Sequence, residues 1–498
     1  MIYIIKTQLF RWCFALCLAG MLASACVVQR SPVTGSKRAY GYSWEQEKQI
    51  GAEADPQIIA QFGLYPDEKL TRYVETIGER VLAESHLRRS DTPAEYRSLK
   101  FHFRVLDSPV VNAFALPGGY VYVTRGLLAH LQNEAQLAVV LGHEIGHVAG
   151  RHASKRALQS QIGQLGLIGG AIIGQEVLGL PGQDLLSAGG TVAQLLFLRY
   201  GRDDERESDR LGVEYSALAG YEAAEGAEFF VSLKRIGEQS GQSIPGFLST
   251  HPDPGEREVR IQEMAREWKT RVPMTLVDEQ EYLSMIDGMV YGDDPRQGYA
   301  EGGVFYHPQL RFQFPLPPGY TVINQPSQVA MIEPNQRAIV SLALARDVSS
   351  ASAAGQKLAS QQGITVLDGG RTTVNGNSAY FVLGEAQTEN QAVRFLVYYI
   401  EYGGNIYQIL GYAAKQDFGT YSDVFRRTMT GFRSVTTPAV LNVQPVRVRV
   451  QRVTNGGTFS ALVSGTLPSE TSAEDIAILN QVGLNESIPA GRHLKFVR

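Results

Sequence analysis

Cysteine is scarce and badly placed for cross-linking: the 498 residues hold three, Cys13, Cys17 and Cys26, all at the start of the chain. No disulfide framework braces the remaining residues, so their stability must come from a hydrophobic core and from any metal that histidines and carboxylates hold. An excess of positive charge is also missing. With 46 basic against 50 acidic residues, a net charge of -4 and no basic patch, a nucleic-acid partner is not expected. No repeat of ~34 residues recurs, which excludes an array of paired helices. The composition is otherwise ordinary and globular, 44% hydrophobic and 19% charged, in a chain long enough for roughly two to four domains.

The first residues form an address. Lys6 and Arg11 precede an uncharged run from Trp12 to Val28, and Leu22, Ala23, Ser24 and Ala25 end it with small residues before Cys26. A secretory signal over residues 1–25 is expected; a retained anchor would sit at the short limit for a span of ~17–25 residues. The ending resembles a bacterial lipobox, with Ala23 where Leu is usual and Leu22 one place early. Two outcomes stay open: lipidation at Cys26, with outer-membrane association because Val27 offers no Asp-type retention signal, or plain cleavage after the Ala-Ser-Ala triplet.

The chemistry concentrates in Leu141 to Arg156, LGHEIGHVAGRHASKR. An HExxH pentad on a helix sets His143 and His147 one turn apart on one face, where both imidazoles can hold a divalent metal, with zinc the default occupant. Glu144 lies beside them as a base for water that zinc acidifies to a pKa near ~7. The helix is credible without the metal. Asn133 with Gln136 reads as a capping box, Leu137, Val140 and Leu141 give an apolar face, and Gly142, Gly146 and Gly150 form a stripe against which another element should pack.

A catalytic zinc needs a third protein ligand and an open position. In RDDERESDRLG, from Arg202 to Gly212, Glu205 and Asp209 lie four apart on a second helix, facing the same way. Glu205 is the candidate ligand; Asp209 can accept the spare ring N–H of a ligating histidine. Charge pattern alone favours a solvated helix face.

The two helices together resemble the gluzincin metallopeptidases of the HtpX, CAAX prenyl protease and Oma type, peptidase family M48. That family reads HExxH followed by ExxAD, its first Glu being the third zinc ligand; here Ser208 replaces the Ala. Asn112 to Thr124, NAFALPGGYVYVT, and Thr250, His251 and Pro252 with Arg257 are similar to its soluble periplasmic BepA/LoiP-like branch. The resemblance implies a mainly helical zincin domain with a small sheet over residues 30–290, holding one zinc per chain. It also implies that Asn112, Ala113, Phe114 and Ala115 form an edge strand above the metal, to which an extended substrate can add. His251 is then an active-site residue in one of two roles, a donor to the oxyanion or a plug that holds the enzyme latent.

The remaining chain is read from its periodicity. Trp44–Gln61 and Asp67–Leu87 should be helices, Leu99–Val105 a strand, and Gly292–Gly303 a turn-rich linker. Apolar, Gly-rich Leu165–Gly190 could be core, a flap over the cleft or a segment on a membrane surface. Alternation at Leu310, Phe312 and Phe314, strands over Ile339–Ala343 and Ala379–Leu383, a hairpin over Val393–Tyr412 and a helix over Tyr421–Thr430 make residues 304–436 a small α+β domain. Residues 440–498 form a short α+β module, weakly similar to LysM, which would touch peptidoglycan, or else a structural cap. The fold class expected is α+β throughout. The function expected is a zinc endopeptidase of the bacterial periplasm or outer membrane that hydrolyses unfolded or unassembled envelope proteins. The competing expectation is an envelope chaperone or assembly factor with a structural or latent metal.

Overall fold

The computed structural model describes residues 27–166, 200–239, 247, 251, 254–387, 392–464, 467–468 and 471–498. The expected signal with Cys26, the apolar Leu165–Gly190 stretch beyond Gly166, and Thr250 and Pro252 beside His251 lie outside the described residues.

The chain opens with a two-strand ribbon, β1 (Val27–Arg30) on β2 (Lys37–Tyr40), followed by helices α1 (Trp44–Phe62) and α2 (Glu68–Ala83). Asp67 caps α2 by accepting from the Leu70 N–H, and Val74, Ile77 and Val81 form its buried stripe. Three strands follow, β3 (His102–Leu106), β4 (Ala113–Leu116) and β5 (Tyr120–Thr124), in the order β3-β5-β4, so β4 lies at an edge. The first strand starts three residues later than its apolar pattern suggests, because Leu99 and Phe101 are buried ahead of it rather than paired in the sheet. The β4–β5 turn passes through Gly118 (φ 81°) and Gly119 (φ 88°), the left-handed pair that a tight hairpin requires.

Helix α3 (Arg125–His130) leads into α4 (Glu134–Gly150), the HExxH helix, in which every residue is buried. A helix enclosed on all sides needs no amphipathic stripe. Asn133 Oδ1 accepts from the Gln136 N–H, but the returning arm of the expected box goes one residue further back, Gln136 Oε1 accepting from the Gln132 N–H. Helix α5 (His152–Gly166) follows at once. Then come α6 (Arg202–Leu218) and α7 (Glu225–Gln239), which pack on α4, and α8 (Pro254–Lys269), which packs on α6 and α7. Among the described residues, no helix is long and apolar enough to cross a membrane.

At Gly288–Tyr291 the chain pairs with a segment far downstream: the Gly288 N–H donates to Val448 O, Val448 N–H to Met289 O and Tyr291 N–H to Val446 O, each at 2.8 Å. Between these two crossings hangs a separate α+β unit with its own cores. The expected linker is largely structured, since Tyr299–Glu301 and Val304–His307 pair as the first two strands (β6, β7) of a four-stranded sheet. Beside it lies a seven-stranded antiparallel sheet built from residues 321–414, with helix α9 (Ala351–Ala359) and helix α10 (Phe418–Thr430) contributing to different cores.

Residues 448–497 carry no core of their own among the described residues. Val448, Phe459, Ile476, Leu479 and Val497 belong to the same hydrophobic cluster as the helix that bears HExxH. Lys495, fully buried on the last strand (His493–Val497), donates from Nζ to Ala129 O and Leu131 O at the end of α3, both at 2.7 Å. These N–H donors satisfy carbonyls that a helix C-terminus leaves open, while burial pushes the Lys495 amine well below the usual lysine range. Gln132 Nε2 donates to Leu479 O at 2.7 Å, and Gln481 Nε2 to His130 O at 3.0 Å, so this tail grips the loop that starts α4.

Candidate metal centre

Helices α4 and α6 cross backbone to backbone. A Cβ on Gly142 would meet Gly212 O at 2.9 Å, one on Gly212 would meet His143 N at 2.9 Å, and one on Gly146 would sit 3.2 Å from Ser208 Cα. The glycine stripe therefore sets the distance at which α6 presents Glu205 to the two histidines, and Ser208, fully buried at this crossing, is small enough to fit.

Four donors converge there: His143, His147, Glu205 and His251, all buried, with ligand atoms within 4.8 Å of one another. His143 Nε2 lies 3.0 Å from His147 Nε2 and 3.3 Å from His251 Nδ1. Glu205 Oε1 lies 3.0 Å from His251 Nδ1 and 3.5 Å from His147 Nε2, and its Oε2 is 3.5 Å from His143 Nε2. Donors bound tetrahedrally at ~2.0–2.1 Å are separated by about 3.3 Å, so these edges suit one small cation held by nitrogen and oxygen. Charge agrees with this. Three buried carboxylates, Glu144, Glu205 and Asp209, face one buried guanidinium, Arg257, and a divalent cation would neutralise the difference.

Each donor is held from behind. His143 Nδ1 donates to Asp209 Oδ1 at 3.0 Å, which places Asp209 where the helical spacing predicts it. Arg257, fully buried on α8, forks onto Asp209 at 2.6 Å and 3.0 Å and lies 3.0 Å from Glu205 Oε2, with its guanidinium 4.3 Å over the Phe230 ring. Burial pushes the Asp209 carboxyl up, but Arg257 and the His143 bond outweigh it and hold it below the usual carboxylate range. Glu205 follows the same pattern: burial raises it, and His251 and Arg257 pull it lower still. Glu144 differs. Both of its oxygens are buried without a hydrogen-bond partner, and burial, partly offset by His251 and His143, leaves its carboxyl above the ordinary value.

His251 is fully buried; its Nε2 has no hydrogen-bond partner and lies 3.7 Å from Glu144 Oε1. Phe247 stacks on the ring at 4.5 Å, and the His251 N–H donates to Phe247 O at 2.8 Å. The Phe247 N–H in turn donates to Val111 O at 3.0 Å, just ahead of β4. On the edge itself Ala113, Phe114 and Ala115 lie in β4, and Asn112 precedes it with its Oδ1 buried and unpartnered. Ala115 and Leu116 line a small cavity together with His147 and Tyr200.

Several residues at the site are not marked by either zinc motif. Arg257 stands out only as part of the His-Pro motif, Phe247 not at all, and Tyr200, whose ring stacks on His147 at 3.9 Å, lies outside both zinc motifs. His152 is the fourth: buried, with Nδ1 2.9 Å from His147 Nδ1. Their spacings along the chain do not by themselves turn these side chains toward the donors. They are brought in by the helix crossings and the His251 loop.

Residues 68–265 match peptidase family M48. The chain is 31% identical over 272 residues to a "Beta-barrel assembly-enhancing protease" of Yersinia pestis, covering 53% of this chain and 52% of that protein. It is 28% identical over 263 residues to the "Mitochondrial metalloendopeptidase OMA1" of Schizosaccharomyces pombe, covering 52% of this chain and 73% of the other. The chain thus spans about half the length of the bacterial relatives it matches.

Proposed function

Since residues 68–265 match peptidase family M48, we propose that the chain is a zinc endopeptidase of the bacterial envelope, acting on unfolded or unassembled proteins and kept latent by His251. The observation that carries this reading is a buried carboxylate, Glu144, left without a hydrogen-bond partner beside four convergent metal donors. His143, His147 and Glu205 would hold the ion. Bound there, zinc supplies a Lewis acid for the scissile carbonyl and acidifies water. Glu144 takes the proton of the attacking water and returns it to the leaving amine, free to do so because it has no bond to give up. An extended substrate adds to the edge of β4 through main-chain bonds, which read little sequence and so suit a protein that removes misfolded chains. The expected signal and the name of the bacterial relatives support the envelope as its place of work.

Latency follows from the loop. His251 Nδ1 completes the donor group, and the Phe247 N–H occupies Val111 O at the approach to the substrate edge. One displacement would free both. The closed donor set also favours a second reading, an assembly factor whose metal is structural. His251→Ala separates the cases when metal content and casein cleavage are measured together. If the plugged state holds ~90–99% of molecules, its loss raises cleavage roughly 10–100-fold with zinc retained. A fall of about 10²-fold with zinc still bound would reject latency and assign His251 to the oxyanion. No cleavage by either protein, with metal lost from the variant, would favour the structural metal.

A further inference from the structure

We propose that His152, Glu207 and Lys155 form a relay that orients His147 and strengthens it as a metal donor, an inference that rests on the metal centre described above. With Nε2 of His147 among the donors, its Nδ1 carries the proton and donates to His152 Nδ1 at 2.9 Å. His152 must then carry its own proton on Nε2, which donates to Glu207 Oε2 at 3.0 Å. Lys155 Nζ donates to the same oxygen at 2.9 Å. Every donor in the chain meets an acceptor, so one tautomer of each ring is selected. His143 reaches its carboxylate, Asp209, directly; His147 reaches Glu207 through a second imidazole.

The fold spends several unusual features on this contact. On a continuous helix a residue five positions on is turned roughly 140° away, so His152 would not face His147. The helix is instead broken at Arg151, a non-glycine residue at φ 54° and ψ 41°, a left-handed conformation that costs about 1 kcal/mol or more. Arg151 is held there while almost fully buried: Nε and Nη2 reach Glu47 Oε1 at 2.7 Å and 2.6 Å, Nη2 donates to Tyr42 O at 2.8 Å, and the Tyr40 ring lies 3.8 Å from the guanidinium. Gly150 makes room, since a Cβ there would lie 2.3 Å from His152 Nε2. Ser208 Oγ, standing where the family's usual Ala has none, approaches His152 Nδ1 at 3.3 Å and adds a second donor to that acceptor. The third glycine of the stripe thus serves the relay rather than the α4–α6 crossing.

The test is metal binding by the full mature chain, stripped of metal and titrated with Zn2+ against a chromophoric chelator, then with Co2+ to record its visible ligand-field band. His152→Ala should weaken Zn2+ binding about 10–100-fold, the range for partners behind a ligating histidine, and alter the Co2+ band. His152→Asn, whose Oδ1 can accept from His147, should recover most of the affinity, which a purely space-filling role would not predict. Glu207→Gln, on a partly exposed side chain, should give an intermediate loss and add nothing to the loss of His152→Ala when the two are combined. If a folded His152→Ala binds Zn2+ within about twofold of the unaltered chain, the relay is refuted. Should His152→Ala not fold, equal Zn2+ affinity in Glu207→Gln and the unaltered chain refutes it instead. If the unaltered chain binds neither metal, the metal centre itself fails, a result distinct from both.

Discussion

Glu144→Gln keeps its fold and its metal and loses roughly 10²–10⁴-fold in turnover, the share that general-base catalysis contributes. The amide matches the carboxylate in size, and Glu144 is not among the four convergent donors. Neither of its oxygens has a hydrogen-bond partner, so the substitution breaks no bond on which the fold depends. Stability should even improve in the metal-free protein. Burial raises the folded-state pKa of Glu144 above its ordinary value, so its contribution is fully present at low pH and is lost as pH rises above the ordinary glutamate range. A neutral amide removes that loss. Melting curves of the metal-free proteins should therefore coincide near pH 4 and separate toward neutrality, with the variant higher. His143→Ala and Glu205→Ala should by contrast lose metal as well as turnover. Substantial proteolysis by Glu144→Gln would overturn the assignment of the base.

Gly212→Ala should damage both stability and metal binding although residue 212 touches no metal. Its new Cβ would press on the His143 N and Cα atoms at 2.9 Å and 3.1 Å, backbone atoms that cannot swing aside. Overpacking of this kind costs about 1–3 kcal/mol. The larger effect is on the site, because Glu205 lies two turns away on the same helix and His143 directly beneath. Donor positions tolerate only ~0.2 Å, so pushing α6 off α4 by a few tenths of an ångström should lower Zn2+ affinity by about 10-fold or more. Gly419→Ala is the control: that glycine is in α10 and has nothing within 4 Å of a new Cβ, so about 1 kcal/mol of helix propensity should be gained. Calorimetric melting and chelator competition measure both. Unchanged affinity in a folded Gly212→Ala would show that the crossing distance does not set the site.

These two residues mark what can be read from the chain alone. His143 with His147, and Glu205 with Asp209, share helical faces, so each pair follows from a 3.6-residue period; the meeting of the two helices is implied only by the family resemblance. The glycine stripe announces a close neighbour, and α6 is that neighbour. His152 is invisible in the sequence because the break at Arg151 depends on Glu47, over a hundred residues upstream. Arg257 is marked by the His-Pro resemblance, but its grip on Glu205 and Asp209 is not. In the hanging α+β unit, Ile364–Val374 is an eleven-residue edge strand that is mostly exposed and runs through Asp-Gly-Gly, with a bulge after Val366. Exposure on both faces erases the alternation by which strands are recognised. The shared core of residues 448–497 is hidden for a similar reason, since periodicity shows which face is buried but not against what.

The paired crossing at Gly288–Tyr291 has a consequence in time. A chain that emerges N-terminus first presents the HExxH helix early, but the segment that holds its leading loop, from Leu479 to Lys495, comes after the entire hanging unit. At about 5–20 residues per second, the roughly 150 residues between Tyr291 and Val446 take about ten to thirty seconds to appear. Through that interval the loop before Asn133 lacks its grip, and the carbonyls of Ala129 and Leu131 await Lys495 Nζ. The hanging unit can fold on its own cores meanwhile. The loop that leads into the HExxH helix is thus gripped only after the hanging unit has appeared, although the four donors themselves precede it.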